Sequence, residues 1–189
     1  MAQLSVFKKI SILIVIIDVV WSAAAIIHDL DMFGTIPVYF WPFVVICPLY
    51  PLLLSLVWAK SISSSPNNYL LAFAALPSTI YLFAALIYYP TWMMQNEFDW
   101  LTFGAIFWVL AYGVQGFYLL WRFRLKLLPA ILACVFLFAS FIIQFLNKTF
   151  GTQDFTNFSD QLIITEYLTL FLITISTTVF FYKNNDLSS

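Results

Sequence analysis

Two carboxylates, Asp18 and Glu166, lie inside long hydrophobic runs, and every other Asp and Glu lies outside them. A carboxylate in an apolar surround can hold a proton, bind a cation, or accept hydrogen bonds that tie helices together. Asp18 stands about nine residues into the first run, roughly 13 Å along a helix, near the middle of a hydrocarbon layer about 30 Å thick. A charge at that depth costs at least about 2.5 kcal/mol, so the side chain belongs toward the interior of a bundle or a watered cavity. Its neighbours agree with that direction. Ser11, Ser22, Ala25 and Asp29 share its helical face, while Ile and Val fill the opposite side.

The same depth arithmetic brings Tyr50, Ser78, Thr79 and Tyr112 to the layer of Asp18, with Gln115 about one helical turn away. The six residues define an expected substrate or ion site in the mid-plane. The alternative is a hydrogen-bonded Asp18 whose role is to hold helices together. Glu166 is shallower, roughly 7 Å from the end of its helix. Gln144 and His28 are expected to meet it in an external polar cluster, where imidazole would titrate near neutrality or act as an interfacial hydrogen-bonder. The two carboxylates differ by about 10 Å in depth, too far for a catalytic dyad.

Other chemistry finds little support. GxSxG, HExxH and phosphate-cradling glycine loops are absent, and there are five glycines in all. The lone histidine cannot build a multi-histidine metal site, and Cys47 and Cys134 sit in separate apolar runs as buried small side chains. The sequence therefore calls for no catalytic residues, no metal and no cofactor.

These residues have to be positioned by helices. The chain has 189 residues, 63% hydrophobic and 9% charged, against roughly 25% charged in soluble domains. Six runs are long enough to span a bilayer: about residues 10–28, 38–59, 69–90, 100–122, 127–147 and 162–182. Backbone groups in hydrocarbon must bond within their own segment, and the alternating strands of a barrel are missing, so the expected fold is all-α, one transmembrane bundle over residues 1–189. No repeat or linker divides it.

Charge sorts by loop. Lys8, Lys9, Lys60, Arg122, Arg124, Lys126 and Lys183 fall in one set of segments, and Lys148 alone in the alternate set. Basic residues favour the cytoplasmic side, which puts both termini there and Asp29, Asp31, Glu97, Asp99, Asp154 and Asp160 outside. Tyr39, Trp41, Tyr88, Tyr89, Trp92 and Trp100 mark the outer interface, and Trp58, Tyr69, Trp121 and Tyr182 the inner one. The first run resembles a signal peptide around Ala23, Ala24 and Ala25, but Asp18 interrupts its apolar region and it is read as a retained helix. The Asn147 and Asn157 sequons sit close to the membrane and are read as chance matches. The expected surroundings are the lipid bilayer of the cell membrane, with room for a membrane-protein partner or a homo-oligomer. A net charge of −1 without clustered basic residues excludes nucleic acid.

Pro42, Pro48 and Pro51 punctuate the second run, with Pro37 before it, and predict a kinked or partly unwound helix lining the site. Pro77 predicts a second kink, Gly113 and Gly116 a close helix contact, and the threonines from Thr165 to Thr178 backbone or interhelical hydrogen bonds. The segment Thr35-Ile36-Pro37-Val38-Tyr39-Phe40-Trp41-Pro42-Phe43, followed by Cys47-Pro48-Leu49, Tyr88-Tyr89-Pro90 and Arg122-Phe123-Arg124, resembles the small multi-span membrane proteins represented by Bacillus YpjA, over residues 20–155. The chain departs from that pattern at Cys47 and at Pro77-Ser78-Thr79. That family has no assigned activity, so the resemblance implies a fold and no chemistry. The sequence leaves two functional classes: a small transporter, channel or ligand-binding protein working through Asp18, or a non-catalytic scaffold or accessory subunit.

Overall fold

The computed structural model describes residues 5–28, 46–95, 100–147, 149–150, 153–154 and 159–186. Six helices account for nearly all of them: α1 (Val6–His28), α2 (Ile46–Ser61), α3 (Asn68–Gln95), α4 (Trp100–Arg122), α5 (Leu127–Leu146) and α6 (Asp160–Asp186). Between α5 and α6 a short antiparallel ribbon, β1 (Thr149–Phe150) with β2 (Gln153–Asp154), pairs Thr149 with Asp154 and Phe150 with Gln153. The sequence reading assigned no strand there, because two-residue strands carry too little alternation to read.

α1, α3, α5 and α6 are long and apolar enough to cross a membrane. The described part of α2 has 16 residues, and its expected first half, with Pro37 and Pro42, lies outside the described residues. α4 has 23 residues in a largely apolar run that includes Tyr112, Gln115 and Tyr118. α3 continues through Pro77 and Pro90 to Gln95, beyond the expected end at Pro90. A proline removes one donor from the ladder, and the rest of a long helix carries it across the gap.

Successive helices alternate in direction. Ring contact between Phe7 and Trp58, the guanidinium of Arg122 over Phe7, and a hydrogen bond from the Lys126 backbone N–H to Asn68 Oδ1 (2.8 Å) gather one end of α1, α2, α3, α4 and α5. Phe117 against Phe181 adds α6 to the same end. This is the basic end of the bundle, since Lys8, Lys9, Lys60, Arg122, Arg124, Lys126 and Lys183 all stand there or close by.

α3 is the axle, packing on α2, α4, α5 and α6. Ala72, Ala74, Ala75, Ala84 and Ala85 are all buried, and such short side chains let several helices approach one backbone. α1 reverses the ordinary distribution of polarity. Its buried positions include Ser11, Asp18, Ser22 and Ala25, whereas Ile10, Leu13, Ile16, Val20 (63% exposed) and Ile27 face outward. In water that arrangement would forfeit the hydrophobic gain of every one of those side chains. In hydrocarbon it is favourable, because the apolar side meets lipid and the polar side meets protein.

Candidate functional site

The site begins with the register of α1. Ser11, Asp18, Ser22 and Ala25 recur at seven, four and three residues and therefore fall on one stripe, which faces α2 and α4. Asp18 is 3% exposed. Its Oδ1 accepts a hydrogen bond from Gln115 Nε2 on α4 at 3.0 Å, and Gln115 Oε1 in turn accepts from Trp58 Nε1 on α2 at 3.0 Å. An indole nitrogen can only donate, so Trp58 fixes which way the Gln115 amide points: its oxygen toward Trp58, its NH₂ toward Asp18. Three helices thus meet in one directional chain ending on a carboxylate.

Rings close this chain on the basic side. Trp58 stacks on Tyr118 with centroids 5.6 Å apart and meets Phe7 at 6.1 Å. The Arg122 guanidinium lies 4.2 Å from the Phe7 centroid and donates to Tyr118 Oη at 3.3 Å. Toward the other end, Trp21 of α1 stacks on Trp108 of α4 at 4.4 Å. α1 therefore touches α4 through a ladder of side chains, Phe7 to Arg122, Asp18 to Gln115 and Trp21 to Trp108, with little backbone approach.

Several polar atoms in this region are buried without a hydrogen-bond partner among the described residues: Asp18 Oδ2, Trp21 Nε1, Ser22 Oγ and, on α2, Tyr50 Oη. Trp21 and Ser22 follow Asp18 by three and four residues in α1, so each of their side chains neighbours that of Asp18. Buried polar groups are nearly always bonded, so a cluster of exceptions needs a physical reason.

The remaining expected site residues are distributed more widely. Ser78 Oγ donates to Ala74 O at 2.7 Å and Thr79 Oγ1 to Ala75 O at 2.8 Å, both within α3. They line the seam with α4, where a Cβ built on Gly113 would stand 2.4 Å from Leu82 Cβ and one on Gly116 would stand 2.6 Å from Ala75 O. The close contact expected at these glycines is therefore a backbone-to-backbone approach. Tyr112 is buried on α4 between the Trp108 and Gln115 positions, and Tyr50 is buried against Tyr81, with ring centroids 5.5 Å apart.

Of the external cluster, Gln144 and Glu166 are both buried, and the side chain of His28 lies outside the described residues. Gln144 Nε2 donates to Ser140 Oγ (2.8 Å) and to Tyr81 Oη (3.3 Å), joining α5 to α3. Tyr167, next to Glu166, packs its ring against Phe141 and Phe145. The α6 threonines bond mainly to their own helix, as in Thr174 Oγ1 to Leu170 O. Thr178 spends its hydroxyl hydrogen on Thr174 O, so the Cys134 thiol donates to Thr178 Oγ1 across 3.1 Å. The side chain of Cys47 lies outside the described residues.

Trp58 and Trp21 are the participants that the sequence reading missed. By its place near the end of the run Trp58 belongs to the inner aromatic belt, yet it is only 3% exposed. The available signal was its spacing, since Tyr50, Leu54 and Trp58 repeat every four residues along one buried face. Likewise Trp108, Tyr112 and Gln115 recur at four and three residues and mark the α4 face that meets Asp18.

Comparison with protein-family models, with curated proteins and with solved structures found no match. The functional reading rests on the geometry.

Proposed function

We propose that this chain crosses a bilayer six times with both termini cytoplasmic, in the cell membrane, and that it is a small transporter, channel or ligand-binding protein whose binding group is Asp18. One observation carries the reading. Asp18 is buried on the polar stripe of an otherwise lipid-facing helix, with one carboxylate oxygen held by Gln115 and the other without a partner among the described residues. A purely structural carboxylate would be expected to use both oxygens, because each unpaired buried acceptor costs about 1–3 kcal/mol. The six-span topology is supported by the alternation of helix direction and by the common basic end.

The test is proton and cation flux in vesicles reconstituted with the parent protein and with Asp18→Asn. Flux that depends on Asp18 supports the reading, and flux unchanged by Asp18→Asn sinks it. For topology, single cysteines introduced near Ser63 and near Asp160 should label from opposite sides of the membrane; labelling from one side would refute six spans.

The second reading, a non-catalytic scaffold or accessory subunit, is favoured by a different observation: the hydroxyls of Ser78, Thr79 and Thr174 all donate to carbonyls of their own helix, as expected of groups that only satisfy packing. It predicts no saturable solute binding at all.

A further inference from the structure

The turn of α1 that includes Asp18 offers more than a negative charge. Its atoms without partners among the described residues are one carboxylate oxygen, one hydroxyl and one indole N–H, from Asp18, Ser22 and Trp21, and the Asp18 and Ser22 side chains are each more than nine-tenths buried. The indole N–H is decisive, because it can donate and cannot accept. A proton would satisfy Asp18 Oδ2 and leave Trp21 as it is. A bare metal ion could take Asp18 Oδ2 and Ser22 Oγ as oxygen ligands, yet it has no lone pair to offer the indole. A water molecule can donate to Asp18 Oδ2 and accept from Trp21 Nε1, and so can a solute with a donor at one point and a lone pair at another. A positive donor adds the counter-charge that a buried carboxylate needs.

The fixed polarity of Gln115 sharpens the requirement. Trp58 commits the amide oxygen of Gln115, so Gln115 presents only N–H toward Asp18 and takes up Oδ1. Oδ2 is left as the acceptor for a ligand's donor. On the far side from Gln115, Trp21 is held against Trp108 by ring stacking at 4.4 Å, which fixes the plane in which its N–H lies.

We infer that the Asp18 site takes a small ammonium solute that also bears a hydroxyl or carbonyl oxygen, its ammonium on Asp18 Oδ2 and its oxygen lone pair on Trp21 Nε1, with Ser22 Oγ free to serve either group. This inference rests on the reading of Asp18 as a binding group and names the class of ligand for it.

The experiment uses the full chain in lipid nanodiscs, with radiolabelled ethanolamine as the probe and ethylamine and sodium chloride as competitors. Ethanolamine should bind saturably and displace more readily with itself than with ethylamine, which lacks the oxygen. Asp18→Asn, nearly isosteric and still able to accept from Gln115, should weaken ethanolamine by about tenfold or more, the loss of a charge-assisted hydrogen bond. Trp21→Phe should weaken ethanolamine about three- to tenfold and leave ethylamine unchanged. Matching elution volumes and melting temperatures establish that the variants are folded. Equal competition by sodium or ethylamine, with Trp21→Phe silent, would overturn the inference in favour of a simple cation site and leave Asp18 as the binding group. Absence of saturable ethanolamine binding also overturns it, and Asp18-dependent flux in the same protein then decides separately whether the broader reading survives.

Discussion

α4 meets α3 and α1 on two neighbouring faces, and the two junctions are built on opposite principles. Toward α3, Gly113 and Gly116 bring backbones together so closely that a single methyl group has no room. Toward α1, Gln115 and Trp108 reach out with long side chains, and polar atoms of the facing turn lack partners among the described residues. Gln115 and Gly116 are consecutive, so the rigid seam and the polar junction are about 100° apart on one helical turn. The seam fixes where the amide of Gln115 begins; the junction joins α1 to α4 through side chains alone. Rigid support behind a group that binds is the general condition for a precise site.

The strongest way to break that contrast is at the seam. Gly116→Ala and Gly113→Ala are each expected to cost about 2 kcal/mol in equilibrium unfolding in mixed micelles, since α3 and α4 must move apart to admit the Cβ. A loss below a few tenths would show the seam to be pliant. Trp58→Phe comes next: it keeps the ring stack on Tyr118 but strips Gln115 Oε1 of its donor, for an expected loss of about 1–2 kcal/mol in the same assay. Asp18→Asn should change stability by less than about 1 kcal/mol, in either direction, because the bond from Gln115 persists while a buried charge is removed. A large loss there would mean that the carboxylate is structural. The smallest expected effect is of opposite sign. Gly104→Ala, on the same helix with nothing within 4 Å of the added Cβ, should stabilise by about 0.5–1 kcal/mol through helix propensity alone.

Much of the helical frame was legible because spans in hydrocarbon announce themselves by length. The orientation of α1 was legible too: Ser11, Ser22 and Ala25 share the face of Asp18, and the structure buries all of them. The distribution of the other polar residues was not. Depth arithmetic places Ser78 and Thr79 at the right height, yet height says nothing about azimuth, and both hydroxyls turn back onto the α3 backbone. Trp58 was hidden by the opposite error. An indole near the end of a helix fits an interfacial belt by composition, and only its spacing from Tyr50 and Leu54 distinguishes a buried face from a lipid-facing one. Pairings such as Asp18 with Gln115 depend on which helices become neighbours, and that choice is made by packing at small residues far from either side chain.

The bond between Asp18 and Gln115 joins residues 97 positions apart in the chain. At roughly 5–20 residues per second of synthesis, α1 waits on the order of 5–20 s between emerging and meeting the amide that receives its carboxylate. During that interval it is an orphan segment with a costly polar group and few places to hide it. The last step that satisfies α1 is therefore the making of α4, and a chain that ends before Gln115 leaves Asp18 without the amide that holds it in the finished bundle.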